Sequence, residues 1–444
     1  MKCKRSVCVN CGACSEQPVS GKISDLAPDF ANGIESFSVA CDLGTTTIAC
    51  YAVSHGNVIG AISDRNPQVR WGADVISRIN HAIQAPSHIE EMKTAVLSKI
   101  EDLVARLAER YELSAFDCNS LVVAGNSAME HIFLGINPIS LAFAPFEIEC
   151  NYPEAQTAQQ LGLAGFLAET PVYVFPMIGG FVGGDTTALL FEINKGSADI
   201  EPNETKLTID FGTNGEIALI HSGKIEACST AAGPAFEGAC IRQGKIAASG
   251  AISSVRWENG KIAFDTIANG EPDGICGTGL LDAVAVMYEY GVISDSGRIE
   301  KGHPLVKGVN KDTRITICED KDISIYQQDI REFQLAKAAV QTGADILLSK
   351  SEIGWDAIDE VILAGAFGSA MNPESLCKTG VLPSSVLSKI RAAGNAAGLG
   401  AVRFINSGSA FETADKLVKM TNHVKLESEP DFQERFVEAL SLKR

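Results

Sequence analysis

The sequence predicts an α/β protein with a duplicated, two-lobed fold, mixed sheets and a short cysteine-rich N-terminal segment. Two look-alike stretches, beginning at Val39 and Leu207, support the duplication. Each is an apolar strand that ends in Asp, followed by a Gly-Thr turn and a second apolar strand. Strands then alternate with helices in both halves, which implies mixed sheets covered by helices. A polar connector over residues 191–205 divides the two halves.

Length and composition indicate a multidomain globular protein. The chain has 444 residues, which exceeds one ordinary domain, and is 45% hydrophobic and 21% charged. Its net charge of −18 argues against nucleic acid or an anionic membrane as partners. We find no apolar stretch long enough to span a bilayer and no secretory signal, so we expect a cytoplasmic protein.

Composition shifts along the chain predict five segments. Four of the 13 cysteines lie in the first 14 residues, and the residues that follow are polar and lack periodicity. The predicted segments are a cysteine-rich metal or iron–sulfur segment over 1–20, a linker over 21–36, a first lobe over 37–200, a second lobe over 205–422 and a C-terminal tail over 423–444.

The four N-terminal cysteines have the spacing of a metal-binding loop. They are Cys3, Cys8, Cys11 and Cys14. A Cys-x2-Cys-x2-Cys run is typical of a loop around an iron–sulfur cube, and Cys3 would supply the fourth thiolate. A four-cysteine zinc site is the main alternative because thiolates suit both metals, and a tail without metal is the third. The close spacing favours the cluster, since the ligand pairs of zinc are usually separated by a longer loop.

The two look-alike stretches predict a pair of phosphate-binding turns. Their sequences are Asp42-Leu-Gly44-Thr45-Thr46-Thr47 and Asp210-Phe-Gly212-Thr213-Asn214-Gly215-Glu216. A Gly bend between strands exposes backbone N–H groups, and neighbouring Thr hydroxyls add donors for phosphate oxygens. The Asp before each turn can hold a divalent metal through water. Two ordinary hairpins are the alternative, but the repetition favours facing cradles for a nucleotide triphosphate and Mg²⁺.

In the first half, strands lead into helices. Apolar residues at helical spacing from Met92 to Leu107 predict a long helix. A buried strand then ends at Gly125-Asn126 and opens onto a helix with His131, which we expect to be packed or near the substrate rather than a metal ligand. The predicted strands are 37–41, 46–53, 57–62, 121–126 and 171–176, and the predicted helices are 73–84 and 87–111.

A Gly-rich turn near the end of the first half carries a further carboxylate. The run Gly179-Gly180-Phe181-Val182-Gly183-Gly184-Asp185 precedes a helix. Glycines let a turn approach a ligand closely. Asp185 suits a helix cap, a structural role that is compatible with a catalytic one.

The second half repeats this order. A three-stranded meander is followed by a Gly-rich bend over 232–238, a hairpin, a helix opening at Cys276 and a long helix over 330–349. A buried strand then ends in Gly365-Ala366-Phe367-Gly368, as the floor of an adenosine pocket would require. We expect the small-residue helix that begins at Asn395 to pack beneath that strand. The predicted strands are 207–211, 215–221 and 224–229, with the hairpin at 251–267.

In their order along the chain these motifs resemble the superfamily of sugar kinases, heat-shock chaperones and actin ATPases. The turns after Asp42 and Asp210 resemble its phosphate-1 and phosphate-2 motifs, and the residues around Asp185 resemble its first connecting helix. Gly365–Gly368 resembles its adenosine motif. In chaperone members an upstream helix contacts the base and ribose. The polar residues on one face of the corresponding helix are Gln334, Lys337 and Gln341.

A closer resemblance is to the ATP-dependent reductive activators of corrinoid proteins, and it covers about residues 38–410. Those activators use ATP to drive an electron from an iron–sulfur cluster onto Co(II) of a corrinoid methyl carrier, which regenerates Co(I). They carry a complete ferredoxin-like domain, whereas this chain has only the 14-residue cysteine run. Besides both turns, the motifs that carry the resemblance are Gly125-Asn126-Ser127-Ala128-Met129-x-His131, Gly183-Gly184-Asp185, Gly233-Pro234-Ala235-Phe236-Glu237-Gly238 and Gln328-Asp329-Ile330-Arg331.

The motifs and the resemblance together imply the site residues. Asp185 would position or deprotonate the attacking water, with Glu216 as the second candidate and Asp210 also catalytic. Asp42 and Asp210 would hold Mg²⁺, and the four N-terminal cysteines would hold a 4Fe-4S cluster. The expected ATP-binding residues are Asp42, Gly44, Thr45, Thr46, Thr47, Gly212, Thr213, Asn214, Lys337, Gly365, Ala366, Phe367 and Gly368.

The implied partners are a corrinoid protein of a methyltransferase system, an electron donor such as ferredoxin or flavodoxin, and a second copy in a homodimer. Three other functions stay open. A small-metabolite kinase would have a substrate pocket, and a regulator switched by ATP would bind zinc through the cysteines. An activator of another low-potential enzyme, such as an acyl-CoA dehydratase, would hold a cluster through Cys228, Cys240 or Cys276.

Overall fold

A computed structural model describes residues 33–148, 155–238 and 240–444. They form two compact units. The first comprises the described residues up to Glu201 together with Gly223–Ile225 and Ala393–His423. The second comprises Pro202–Ser222, Glu226–Ala392 and Val424–Arg444. Cys3, Cys8, Cys11 and Cys14 lie outside the described residues, as does most of the predicted linker.

A six-stranded mixed sheet forms the centre of the first unit. Its strands are β1 Phe37–Leu43, β2 Thr47–Ser54, β3 Asn57–Arg65, β4 Cys118–Gly125, β5 Gln156–Thr157 and β6 Pro171–Val174. They lie in the order β3-β2-β1-β4-β6-β5. β1 pairs antiparallel with β2 and parallel with β4, so the predicted meander is confirmed and a helical crossover joins β3 to β4.

The helices of this part of the chain follow the predicted pattern. The long helix over Pro86–Glu109 buries an apolar stripe that includes Met92, Val96 and Ile100, each fully buried, because their spacing places them on one face. Among the described helices of the whole chain, none combines the length and apolarity needed to cross a bilayer. The helices are α1 Val75–Ala82, α2 Pro86–Glu109, α3 Ser127–Leu134, α4 Ala158–Leu161 and α5 Gly184–Ile193.

The second unit repeats the strand pairing of the first. Its strands are β7 Lys206–Phe211, β8 Gly215–His221, β9 Lys224–Thr230, β10 Ala251–Glu258, β11 Lys261–Thr266, β12 Gly274–Ile275, β13 Val306–Lys307, β14 Arg314–Cys318, β15 Ile323–Tyr326, β16 Glu360–Ala364 and β17 Ile390–Gly394. β7 pairs antiparallel with β8 and parallel with β16, as β1 does with β2 and β4. This shared pairing confirms the predicted duplication.

β17 and β9 extend the sheet of β16, β7 and β8, and the strands from β10 to β15 form two small sheets, in the orders β11-β10-β12 and β13-β14-β15. The predicted long helix is present and extends by three residues at its N-terminal end. It contributes Ile330, Phe333 and Leu347 to the core. The helices are α6 Gly277–Glu289, α7 Gln327–Lys350, α8 Gly365–Gly368 and α9 Pro373–Lys378.

The chain then returns to the first unit. The prediction that the small-residue helix packs beneath β16 is wrong, because this helix contacts α5, β1 and β4 instead. The predicted second lobe over 205–422 likewise differs from the observed division, since Ala393–His423 belong to the first unit. The last elements are α10 Ala396–Ile405, α11 Ala410–Met420, β18 Thr421–His423 and α12 Phe432–Glu438.

Close packing of α10 on α5 requires glycine at position 400. A Cβ atom there would lie 1.9 Å from the carbonyl oxygen of Ala188. We expect Gly400→Ala to lower the free energy of unfolding by about 1–3 kcal/mol through overpacking. Helix propensity alone predicts the opposite sign, a gain of about 1 kcal/mol. Denaturant unfolding measures the change, and Gly408→Ala is the control because no atom lies within 4 Å of its added Cβ. Equal or greater stability of Gly400→Ala would contradict the packing.

Candidate active site

The first predicted turn joins β1 to β2 and begins after Asp42. The carboxylate of Asp42 is half-buried, and Asn395 Nδ2 donates a hydrogen bond of 2.7 Å to its Oδ2 atom. Burial raises the pKa of Asp42 to about 7, the charge of Asp185 adds to the shift, and the Asn395 hydrogen bond opposes it. Asn395 was not among the predicted site residues, because only the packing of α10 on β1 brings it to this turn.

Asp185 lies in the first turn of α5, within the same unit. Burial raises its pKa to about 6, although the backbone N–H of Thr186 donates to its Oδ1 atom at 2.7 Å and favours the ionised form. The charges of Asp42 and Asp185 interact. The structure therefore places together two of the predicted carboxylates, one from each of two separate motifs.

Glu130 is a third carboxylate near Asp185 and was not among the predicted site residues. The side chain is fully buried on α3. Its Oε1 atom accepts the N–H of Gly125 at 3.0 Å, and its Oε2 atom is buried without a hydrogen-bond partner among the described residues. Burial and the charge of Asp185 raise the pKa of Glu130 well above its usual range. A Glu in a mostly apolar helix was the available signal, since charged residues are rarely buried without a partner.

Asp42, Asp185 and Glu130 together are suited to a cation that binds as a complex with the substrate. A bound cation would lower each raised pKa, since opposite charge favours the ionised form. No three His, Cys, Asp or Glu side chains in the described part of the chain form a ready-made metal cage. Mg²⁺ fits that situation because it keeps several waters and uses one or two carboxylates plus phosphate oxygens.

The second predicted turn joins β7 to β8. The N–H of Gly212 donates to the carbonyl oxygen of Asn214 at 3.0 Å and closes the turn. Asp210 and Glu216 are directly paired across the two strands, so their side chains leave the same face of the sheet. Ser229 Oγ donates to Glu216 Oε1 at 3.3 Å. The structure thus brings the two predicted carboxylates of this turn together.

The predicted adenosine motif lies next to that turn. Because β16 is parallel to β7 and pairs Ala364 with Asp210, Gly365 follows at the same edge of the sheet. Gly365 has φ +80°, and a Cβ there would lie 2.5 Å from Asp210 Oδ1, so glycine is needed for both reasons. Phe367 stacks on Phe236 at a centroid distance of 5.8 Å. The second phosphate turn and the adenosine motif are therefore neighbours.

Lys337 is placed differently from its predicted role. Its ammonium group is fully buried and donates to Gln341 Oε1 at 2.7 Å, to the carbonyl of Ala439 at 2.8 Å and to that of Ser441. Burial lowers the pKa of Lys337 to about 7, and the charge of Arg444 acts in the same direction. In this conformation Lys337 binds the C-terminal segment, and its contact with adenosine stays a prediction.

Gln334 has similar partners. Its Nε2 atom donates to the carbonyl oxygens of Ser296 at 3.2 Å and Leu440 at 2.5 Å. His131, which was expected to be either packed or near the substrate, is also fully buried, with Nδ1 2.6 Å from the carbonyl oxygen of Ser127. Both side chains are engaged in internal hydrogen bonds.

The cysteines that would carry an alternative cluster differ in their surroundings. Cys228 and Cys276 are buried in the second unit, whereas Cys240 is exposed. Burial raises the pKa of the Cys228 thiol, and Cys276 Sγ donates to the carbonyl oxygen of Ile252 at 3.3 Å. These surroundings are typical of packed thiols rather than of thiolate ligands.

Comparison with known proteins identifies relatives over both units. Residues 204–444 match the C-terminal ASKHA domain of RACo, and residues 37–194 match the RACo middle region. The chain is 33% identical to the corrinoid activation enzyme RamQ of Eubacterium limosum, over 94% of this chain and 72% of that protein. It is 27% identical to the Co(II) methylated amine-specific corrinoid protein reductase of Methanosarcina barkeri, over 49% of this chain and 41% of that protein.

A solved structure agrees with these matches. It is a reductive activator for corrinoid, iron–sulfur protein, and it superposes with a TM-score of 0.81 at 31% identity, covering 94% of this chain and 67% of that one. The predicted actin-like ATPase fold and the predicted family are both confirmed. The chain belongs to the RACo family of reductive activators of corrinoid proteins.

Proposed function

We propose that this protein uses ATP to drive reduction of Co(II) to Co(I) in a corrinoid protein of a methyltransferase system. The observation that carries the proposal is the 33% identity, over 94% of the chain, to a corrinoid activation enzyme. The carboxylates around both turns support the ATP-dependent part, because they suit the cation that accompanies ATP. The cobalt stays on the partner and is the substrate of the reduction.

Within this proposal both turns bind the triphosphate. Asp42 and Asp210 would hold Mg²⁺, which when bound would neutralise the charge that develops on the phosphates. Thr45 and Thr46 donate from the first turn, and the second turn donates through Thr213 and Asn214. Gly365–Gly368 provides the backbone against which the adenosine packs.

Asp185 is the proposed base. Its pKa of about 6 leaves it mostly ionised at neutral pH, so it can accept a proton from water. The water oxygen then bonds to the γ-phosphorus while the bond to the bridging β,γ-oxygen breaks, which releases ADP and phosphate. Glu216 is the second candidate, supported by its position opposite Asp210.

Coupling of hydrolysis to reduction requires that ATP and its products favour different conformations with different affinities for the partner. The electron would come from a ferredoxin or flavodoxin by way of Cys3, Cys8, Cys11 and Cys14, which lie outside the described residues. A 4Fe-4S cluster, when bound there, would supply one-electron transfer. Zinc at the same cysteines is the alternative, and a homodimer is the proposed assembly.

Anaerobic purification with iron, sulfide and zinc analysis tests the electron path. We expect iron and sulfide, and ATP-dependent formation of Co(I) in the partner, followed by its absorption spectrum. The double variant Cys8→Ser, Cys11→Ser should lose Co(I) formation and keep ATP hydrolysis. Cys240→Ser is the control, since this exposed cysteine lies outside the proposed path. Stoichiometric zinc without iron would overturn the electron path, and ATP-independent Co(I) formation would overturn the coupling.

A further inference from the structure

A buried arginine contacts the first phosphate turn from inside the protein. The guanidinium of Arg78, on α1, is fully buried. Its Nη2 atom donates to the carbonyl oxygen of Thr45 at 2.6 Å, and its Nε atom donates to that of Gly72 at 3.0 Å. Its Nη1 atom lies 3.3 Å from Gln68 Oε1 and 3.2 Å from Met129 Sδ. Four contacts within the first unit therefore fix the orientation of this side chain.

The carbonyl oxygens on either side of Thr45 also accept hydrogen bonds from a buried residue. Asn66 Nδ2 donates to the carbonyl oxygen of Gly44 at 2.9 Å, and the backbone N–H of Asn66 donates to that of Thr46 at 2.9 Å. Asn66 is itself fully buried. Three consecutive carbonyls, those of residues 44, 45 and 46, thus point toward Asn66 and Arg78.

This arrangement determines where the N–H groups point. In a trans peptide the C=O of one residue and the N–H of the next lie in one plane and point in opposite directions. With the carbonyls of Gly44 and Thr45 anchored inward, the N–H groups of Thr45 and Thr46 are directed away from Asn66 and Arg78. That orientation is the one needed to donate to a phosphate.

We infer that Arg78 is a positioning residue for phosphate binding, and the inference rests on the proposed ATP site. Its hydrogen bond to the Thr45 carbonyl fixes the peptide that presents the Thr46 N–H. Its positive charge, close behind the turn in a poorly solvated interior, also attracts the triphosphate more strongly than an exposed charge would. Arginine is suited to this role because its planar fork reaches several acceptors at fixed angles, which the single ammonium of lysine does not.

Ligand titration tests the inference without relying on turnover. We expect Arg78→Met to weaken MgATP binding by about 10- to 100-fold, as for loss of a charge-assisted hydrogen bond, and to leave adenosine binding unchanged. Arg78→Lys should recover part of the MgATP affinity because it keeps the charge. Arg70→Met is the matched control, because Arg70 is exposed and stacks 3.8 Å over the ring of Trp71. Thermal unfolding and circular dichroism establish that each variant is folded.

The outcomes separate this inference from the proposed function. Unchanged MgATP affinity in folded Arg78→Met, or an equal loss of MgATP and adenosine affinity, overturns the positioning role. If Arg78→Met fails to fold, Arg78→Lys decides: wild-type MgATP affinity there also overturns the inference, since one ammonium cannot satisfy all four contacts. Wild-type protein that binds adenosine as tightly as MgATP would overturn the proposed phosphate site instead.

Discussion

Asp185→Asn is expected to lower kcat for ATP hydrolysis by about 100- to 10,000-fold, the usual contribution of a general base. The amide has nearly the shape of the carboxylate but cannot take a proton from water. The Thr186 N–H, which now donates to Asp185 Oδ1, can donate to the amide oxygen as well, so the start of α5 is preserved. We therefore expect the dissociation constant for MgATP to change by only a few-fold. Single-turnover hydrolysis and nucleotide titration measure the two quantities separately.

The control for this experiment is Asp199→Asn. Asp199 pairs with Lys416 at the surface, where its side chain is 91% exposed, and removal of that charge should leave kcat unchanged. A normal kcat in Asp185→Asn would mean that Asp185 has only a structural role in the first turn of α5. In that case the paired Asp210 and Glu216 become the next carboxylates to test.

The pH dependence of MgATP binding is the second large expected effect. Asp42 has a pKa raised to about 7, and only its ionised form can bind Mg²⁺. Lowering the pH from 8 to 5 protonates Asp42, so its contribution to MgATP affinity should fall by about 100-fold. The sign is set by linkage: binding displaces a proton, so affinity rises with pH up to about 7 and is then constant. Near pH 6 binding should release a proton from Asp42.

Calorimetry in buffers of different ionisation enthalpy measures that proton directly. ATP titrates in the same range because its terminal phosphate has a pKa near 6, so the informative quantity is the difference between wild type and Asp42→Asn. We expect the variant to bind MgATP more weakly and to lack the additional proton release. Equal proton release by both proteins would show that Asp42 does not bind the cation.

The local parts of the site could be predicted from the sequence. Each turn is a continuous motif, so the residues from Asp42 to Thr47 and from Asp210 to Glu216 fold as expected. The duplication was also predictable, because both halves present the same succession of strand, turn and strand. Such features depend on residues that are adjacent in sequence, so the sequence is sufficient to predict them.

Features that depend on distant packing could not be predicted. The small residues of α10 do not indicate which sheet the helix packs against, whereas its contacts with α5, β1 and β4 place it in the first unit. Asn395 follows from that placement. The hydrogen bonds from Lys337 to the carbonyl oxygens of Ala439 and Ser441 join residues about 100 positions apart, whereas its contact with adenosine stays a prediction.

The return of α10 to the first unit has a consequence for how the protein is made. Asp42 and its hydrogen-bond partner Asn395 are 353 residues apart in sequence. At ribosomal speeds this separation corresponds to roughly 20 to 70 seconds of synthesis. During that time the sheet formed by β1 and β4 lacks the helix that covers it, and contacts of such long range are slow to form. The nascent first unit therefore exposes apolar surface until the second unit has been translated. We expect the protein to need chaperones during this period of synthesis.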